Sequence, residues 1–164
     1  MKNKMRGALA VLLLALPLQA SALCTLLCSC SASTTAVSFG VYNPLSASPL
    51  DSTGNVRVTC GGVLGLLVPY QIVLGKGANS SNFSPRKMAS GANRLNYDLY
   101  TDSAHASIWG DGSGGTQTVS GSITIILLGP TSQDHPVFGR IPGSQTSTAV
   151  GSYSDTVVVT VTYQ

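Results

Sequence analysis

The sequence predicts an all-β fold, a sandwich of about seven short strands. Three observations carry that prediction. Past the first 22 residues no stretch shows the periodicity of an amphipathic helix. Short apolar runs recur instead between clusters rich in Gly, Pro, Asn and Ser. The last run places Val157, Val159, Val161 and Tyr163 on one face at period two, with Thr160 and Thr162 on the opposite, solvent-facing side.

The chain opens with Lys2, Lys4 and Arg6, an apolar run from Ala8 to Leu18, and the small residues Ala20-Ser21-Ala22. This is the pattern of a secretory signal. Its apolar run is about 11 residues, against roughly 20 for a membrane-spanning helix. Cys24 and Cys28 each follow a leucine, which disfavours lipid attachment. Residues 1–22 therefore read as a signal peptide and residues 23–164 as one exported domain, large enough to bury about two-thirds of its unfolded surface.

Without the leader, six cations (Arg57, Lys76, Arg86, Lys87, Arg94, Arg140) balance six aspartates (Asp51, Asp98, Asp102, Asp111, Asp134, Asp155), and glutamate is absent. The pI of 8.8 belongs to the leader, so no basic surface for nucleic acid or anionic lipid follows. After Ala22 the chain holds 21 Ser and 15 Thr. A hydrophobic fraction of 43% is ample for a core and argues against disorder.

Thr34 to Tyr42 reads as a first strand ending at the turn Asn43-Pro44. Asn55 to Cys60 alternates, with Val56 and Val58 on one face, and Gly61-Gly62 closes it. Leu66 to Leu74 contains Pro69, which places part of it at an edge or bulge. Residues 75–93 read as a long polar loop, followed by a strand from Leu95 to Tyr100. Residues 116–128 suggest a strand interrupted at Ser120-Gly121. Val137 to Ile141 is short and bounded by Pro136 and Pro142.

Export makes Cys24, Cys28, Cys30 and Cys60 disulfide candidates. Pairing Cys28 with Cys30 across one residue strains the bridge geometry. Two pairings remain: Cys24–Cys28 with Cys30–Cys60, or Cys24–Cys30 with Cys28–Cys60. A zinc site would need paired short spacings that are absent.

Nothing points to an enzyme, a metal or a cofactor. Gly110-Asp111-Gly112-Ser113-Gly114-Gly115 has the letters of a dinucleotide loop, but Thr116 to Val119 reads as extended where a helix is required, so the run reads as a flexible connection. No serine stands in a nucleophile elbow, and His105 and His135 are isolated beside turn residues. The glycosylation sequons at Asn79 and Asn82 fall in a segment so polar that composition explains them.

Six blocks together resemble the spore coat protein U domain family. They are Phe39-Gly40-Val41-Tyr42-Asn43-Pro44 with Cys30 nine residues earlier, Val56-Arg57-Val58-Thr59-Cys60, and Leu95-Asn96-Tyr97-Asp98-Leu99-Tyr100-Thr101-Asp102. Trp109-Gly110-Asp111-Gly112, Pro136-Val137-Phe138-Gly139-Arg140-Ile141-Pro142 and Gly151-Ser152-Tyr153-Ser154-Asp155-Thr156-Val157 complete the set. The family includes secreted Csu-type pilus subunits. The resemblance implies an incomplete immunoglobulin-like sandwich lacking its final strand, its groove filled by a donor strand.

It implies as partners a periplasmic chaperone, an outer-membrane usher and other pilus subunits, and a place on the cell surface in an adhesive pilus. The alternative is a spore or cell-coat protein that forms no fibres. The resemblance also implies a bridge between Cys30 and Cys60, with Cys24 and Cys28 in a small local loop. Val157, Val159, Val161 and Tyr163 become the groove and chaperone-binding residues. One departure stands out. Cleavage after Ala22 leaves seven residues before Cys30, too few to reach a neighbour's groove. Either cleavage falls earlier, or this subunit accepts a strand without donating one, which makes it a tip or minor subunit or a non-polymerising surface protein.

Overall fold

A computed structural model describes residues 27–126 and 129–164. The expected leader and Cys24 lie outside them. Eight strands follow in chain order: β1 (Cys28–Thr35), β2 (Leu50–Gly62), β3 (Leu67–Leu74), β4 (Arg86–Ser90), β5 (Asn93–Tyr100), β6 (Val119–Thr124), β7 (Thr131–Ile141) and β8 (Val159–Tyr163). They form two antiparallel sheets, one ordered β1-β2-β7-β5-β4 and the other β6-β3-β8. The alternation read in the sequence is what makes them face each other. Val56, Val58 and Cys60 of β2 are buried, as are Val68, Ile72 and Leu74 of β3, while Arg57 points outward to Asp134 on β7.

The first strand lies earlier than expected. β1 pairs with β2 from Cys28↔Gly62 to Thr35↔Asn55, and residues 36–42 join no ladder. The Cys30–Cys60 disulfide explains the placement, because its register sets the two Cα atoms 4.1 Å apart on facing strands. Beyond Thr35 the chain leaves the sheet, and Val37 and Phe39 lie over Gly139, where a Cβ would strike both side chains.

The other differences have similar causes. β3 is the central strand of its sheet, yet it tolerates Pro69 because that residue lies past β8's last pair, Tyr70↔Tyr163. There the Pro69 carbonyl accepts from the N–H of Gln164. β6 continues through Ser120-Gly121, since Gly121 lies against the Tyr70 ring and a side chain would not fit. β7 begins at Thr131 and contains Pro136. On its β5 side it pairs only at Phe138 to Arg140, so Pro136 interrupts no ladder there.

The supposed loop 75–93 contains β4, whose buried Arg86 and Met88 alternate with Lys87. Arg86 is fully buried and donates to the carbonyls of Gly75, Phe83 and Trp109. Burial lowers its pKa, with Tyr97, Asp98 and Asp155 opposing the shift. Trp109, also fully buried, donates from its indole nitrogen to the Ile72 carbonyl. These bonds hold the irregular chain of residues 75–85 and 109–117 against the core. Large buried polar groups are tolerated because each has a partner.

Candidate functional site

β8 pairs with β3 along one edge, and among the described residues no strand pairs with its other edge. Gly75 N–H donates to the Val158 carbonyl, and Gln164 N–H donates to that of Pro69. Antiparallel ladders alternate, so even-numbered residues of this segment bond toward β3. The N–H and C=O groups of Val159, Val161 and Tyr163 therefore face the unpaired edge. The Thr160 and Thr162 side chains are exposed as expected, but their backbone groups belong to the internal ladder.

Beside that edge a cleft of about 1000 Å³ opens between the two sheets. Its floor is core: Val56, Leu74, Leu95, Leu99, Val137 and Ile141. One wall is the unladdered segment carrying Val37 and Phe39, and the other carries Val157 and Val159. A hydrophobic slot thus lies next to a row of unpaired backbone groups, the combination that accepts an added strand.

A polar cluster closes one side. Ser154 exchanges backbone bonds with Ala89 of β4, and two residues later Thr156 bonds Ala78, so the chain crosses between sheets at Asp155. The Asp155 carboxylate accepts from Tyr97 Oη at 2.7 Å, and from Ala78 N–H and Asn79 Nδ2 at 2.9 Å. Burial, and then the bond to Asp155, push the Tyr97 phenol far up, so it stays a neutral donor. Asp98 accepts from Ser84 and from Arg86 N–H, but burial outweighs these bonds and raises its pKa.

Of the residues the sequence singled out, Cys30 and Cys60 are joined. Cys28 is disulfide-bonded as well, and Cys24 lies outside the described residues. Val157 and Val159 line the cleft. Val161 packs against the core beyond it, and Tyr163 is 36% exposed and does not line it. Sequence reasoning missed the opposite wall, although Val37 and Phe39 alternate with exposed Ser38 and Gly40. It also missed Tyr97 as a lining residue.

The motifs that pointed to no enzyme take structural places. Gly112, Gly114 and Gly115 adopt positive φ in a loop that returns to Gln117 with no helix after it. His135 Nε2 lies 2.8 Å from the Tyr70 hydroxyl, which itself donates to Gln133. His105 packs edge-on to Tyr100. The Asn79 amide is bonded to Ser154 and Asp155.

The family model described as the Spore Coat Protein U domain matches residues 15–160. The chain belongs to that family. Within it, the chain is similar to "Protein U" of Myxococcus xanthus, 34% identical over 139 residues that cover 77% of this chain and 71% of that protein. Among solved structures it is similar to the CsuC–CsuE chaperone–tip adhesion subunit pre-assembly complex from the archaic chaperone–usher Csu pili of Acinetobacter baumannii. That match has a TM-score of 0.51 at 28% identity and covers 82% of this chain and 39% of the other. The chain thus spans about two-fifths of the length of that solved chain. The sandwich of this Spore Coat Protein U domain is immunoglobulin-like.

Proposed function

We propose that this chain is an exported structural subunit of an adhesive surface pilus built by a chaperone–usher pathway. A periplasmic chaperone first lends a strand to the cleft, and a neighbouring subunit replaces it at the usher. The observation that carries this reading is the apolar cleft beside the unpaired edge of β8. Similarity to a subunit in a chaperone pre-assembly complex supports the partner class. Among the described residues no helix is long and apolar enough to cross a membrane. Residues 1–22 act as the export signal in this reading. Two placements in the fibre are compatible with the cleft. An end-of-fibre subunit accepts a strand only, whereas an interior one needs cleavage before Ala22.

The donor strand lies antiparallel or parallel to β8 and bonds to Val159 and Val161, while its apolar side chains fill the slot. A melt of the exported domain with and without a fused donor strand tests this. The expected result is a poorly stable, aggregating domain alone and a marked rise in melting temperature with the strand. High, reversible stability that a strand leaves unchanged would contradict it. The family description and the likeness to Protein U favour a second reading, a coat protein that assembles without fibres. Electron microscopy of the producing cell surface separates the two.

A further inference from the structure

A second, smaller cavity of about 340 Å³ lies outside the cleft and shares no lining residue with it. It opens between the chain that precedes β4 and the glycine loop that follows Trp109. Phe83 supplies its aromatic wall. Arg86, fully buried, lies 5.7 Å from the centre of that ring and donates to the Phe83 carbonyl, so the ring is fixed from inside the fold. Lys76 is exposed, and its ammonium lies 5.2 Å from the same centre. Among the described residues no carboxylate lies within ion-pair distance of Lys76. Asp111 feels its charge, but the Asp111 carboxylate accepts from the N–H and the hydroxyl of Ser113 instead.

The glycine loop leaves bare backbone on another wall. Thr116 N–H donates to the Ser113 carbonyl and closes a turn with Gly114 and Gly115 at its centre. Their φ values of 59° and 82° are both positive, a mirror-image turn that glycine adopts without strain. A Cβ at either position would meet open space, so conformation rather than crowding calls for glycine. The N–H groups of Gly114 and Gly115 have no acceptor among the described residues. Asn82 is exposed, and only its backbone is bonded, through Ser80. Ser84 Oγ donates to Asp98, which leaves its lone pairs able to accept.

We propose that this cavity binds one unit of an acidic polysaccharide, a pyranose ring bearing a carboxylate. Small-molecule sites pair an apolar wall with a few polar groups that fix orientation, and each feature of a uronate has its counterpart here. The C–H bonds of a sugar ring are weakly positive and the face of Phe83 is negative, so the two attract. Lys76 is the one charged residue on the walls, and it matches a single negative charge. Its flexible stem lets the ammonium leave the ring for a carboxylate. The sugar hydroxyls meet the Asn82 amide, Ser84 and the bare N–H groups of the turn. Asn82 thereby serves as a ligand group rather than as a sequon. The site does not rest on the cleft reading, because a strand seated in the cleft leaves this cavity open.

Titration calorimetry of the full exported chain with methyl β-D-glucuronide tests the proposal, with methyl β-D-glucoside as the neutral probe. Glucuronide should bind saturably and severalfold more tightly than glucoside. Lys76→Gln should weaken glucuronide binding about fivefold, the reach of an exposed ion pair, with glucoside binding and melting unchanged. Phe83→Leu removes the aromatic face and should weaken both sugars. Absence of saturable glucuronide binding overturns the proposal, as does glucoside binding of equal strength. So does a Lys76→Gln chain that binds glucuronide as wild type does. Sodium sulfate that displaces glucuronide at equal concentration reduces the cavity to a simple anion site and also overturns it. Phe83 is half-buried, so if Phe83→Leu unfolds the chain, the exposed Lys76→Gln decides alone. The same titration on the chain carrying a fused donor strand should give the same affinity, whether or not that strand raises the melting temperature. A strand that abolishes glucuronide binding would place the sugar in the cleft and overturn this site.

Discussion

β2 and β8 carry the same valine-rich alternation, yet Val58 of β2 is completely buried and Val159 of β8 only half so. The strands differ in their neighbours. β2 lies between β1 and β7, with a disulfide to β1, whereas β8 has β3 on one side and the cleft on the other. Period-two patterning determines which face turns inward. The depth of burial depends on what covers that face, and at β8 the described residues leave part of it open to the cleft.

The sharpest way to break this comparison is to damage the closed half. Trp109→Ala should cost about 3–5 kcal/mol through lost burial and a cavity, and it frees the Ile72 carbonyl as well. A urea melt should show the loss, and a donor strand fused to the domain should not restore it. Rescue by the strand would mean that the two halves are not distinct.

Replacing both Cys30 and Cys60 with Ala should cost about 2–4 kcal/mol, since their bridge spans 30 residues. Non-reducing peptide mapping gives the independent check, and Cys60 recovered as a free thiol would contradict the pairing. The loss should appear equally with and without a donor strand, because the bridge lies in the closed half.

Two proline variants sharpen the difference between the edges of β8. Thr160→Pro removes a donor facing β3 and should destabilise the domain by about 1–3 kcal/mol. Val161→Pro removes a donor facing the open edge, where proline is tolerated. It should alter the lone domain less and weaken strand addition more. Equal effects on both measurements would refute the assigned alternation.

The smallest effect concerns the outer face of the closed half. Bonds from Arg57 and Asn55 hold the Asp134 carboxyl at about 2. A pKa below the unfolded value of 3.8 stabilises above that pH and loses the contribution as pH falls toward 2. Asp134→Asn should therefore lower the urea midpoint slightly at pH 7 and have little effect at pH 2. The exposed position keeps the effect small.

The sequence alone determined the class of fold, the inward faces of β2 and β8, and the cysteines worth pairing. Those features are local, because alternation and turn chemistry act over a few residues. β4 was hidden because only tertiary contacts distinguish a five-residue strand from a polar loop; its buried Arg86 is held by the carbonyls of Phe83 and Gly75 in the preceding chain and of Trp109, 23 residues on. Pro69 suggested an edge, and only the position of β8's end reconciled it with a central strand. The cleft itself was legible on one wall, through Val157 and Val159. Its other wall, Val37 and Phe39, depends on Gly139 leaving room about a hundred residues away, and pattern within one segment cannot carry contacts at that separation.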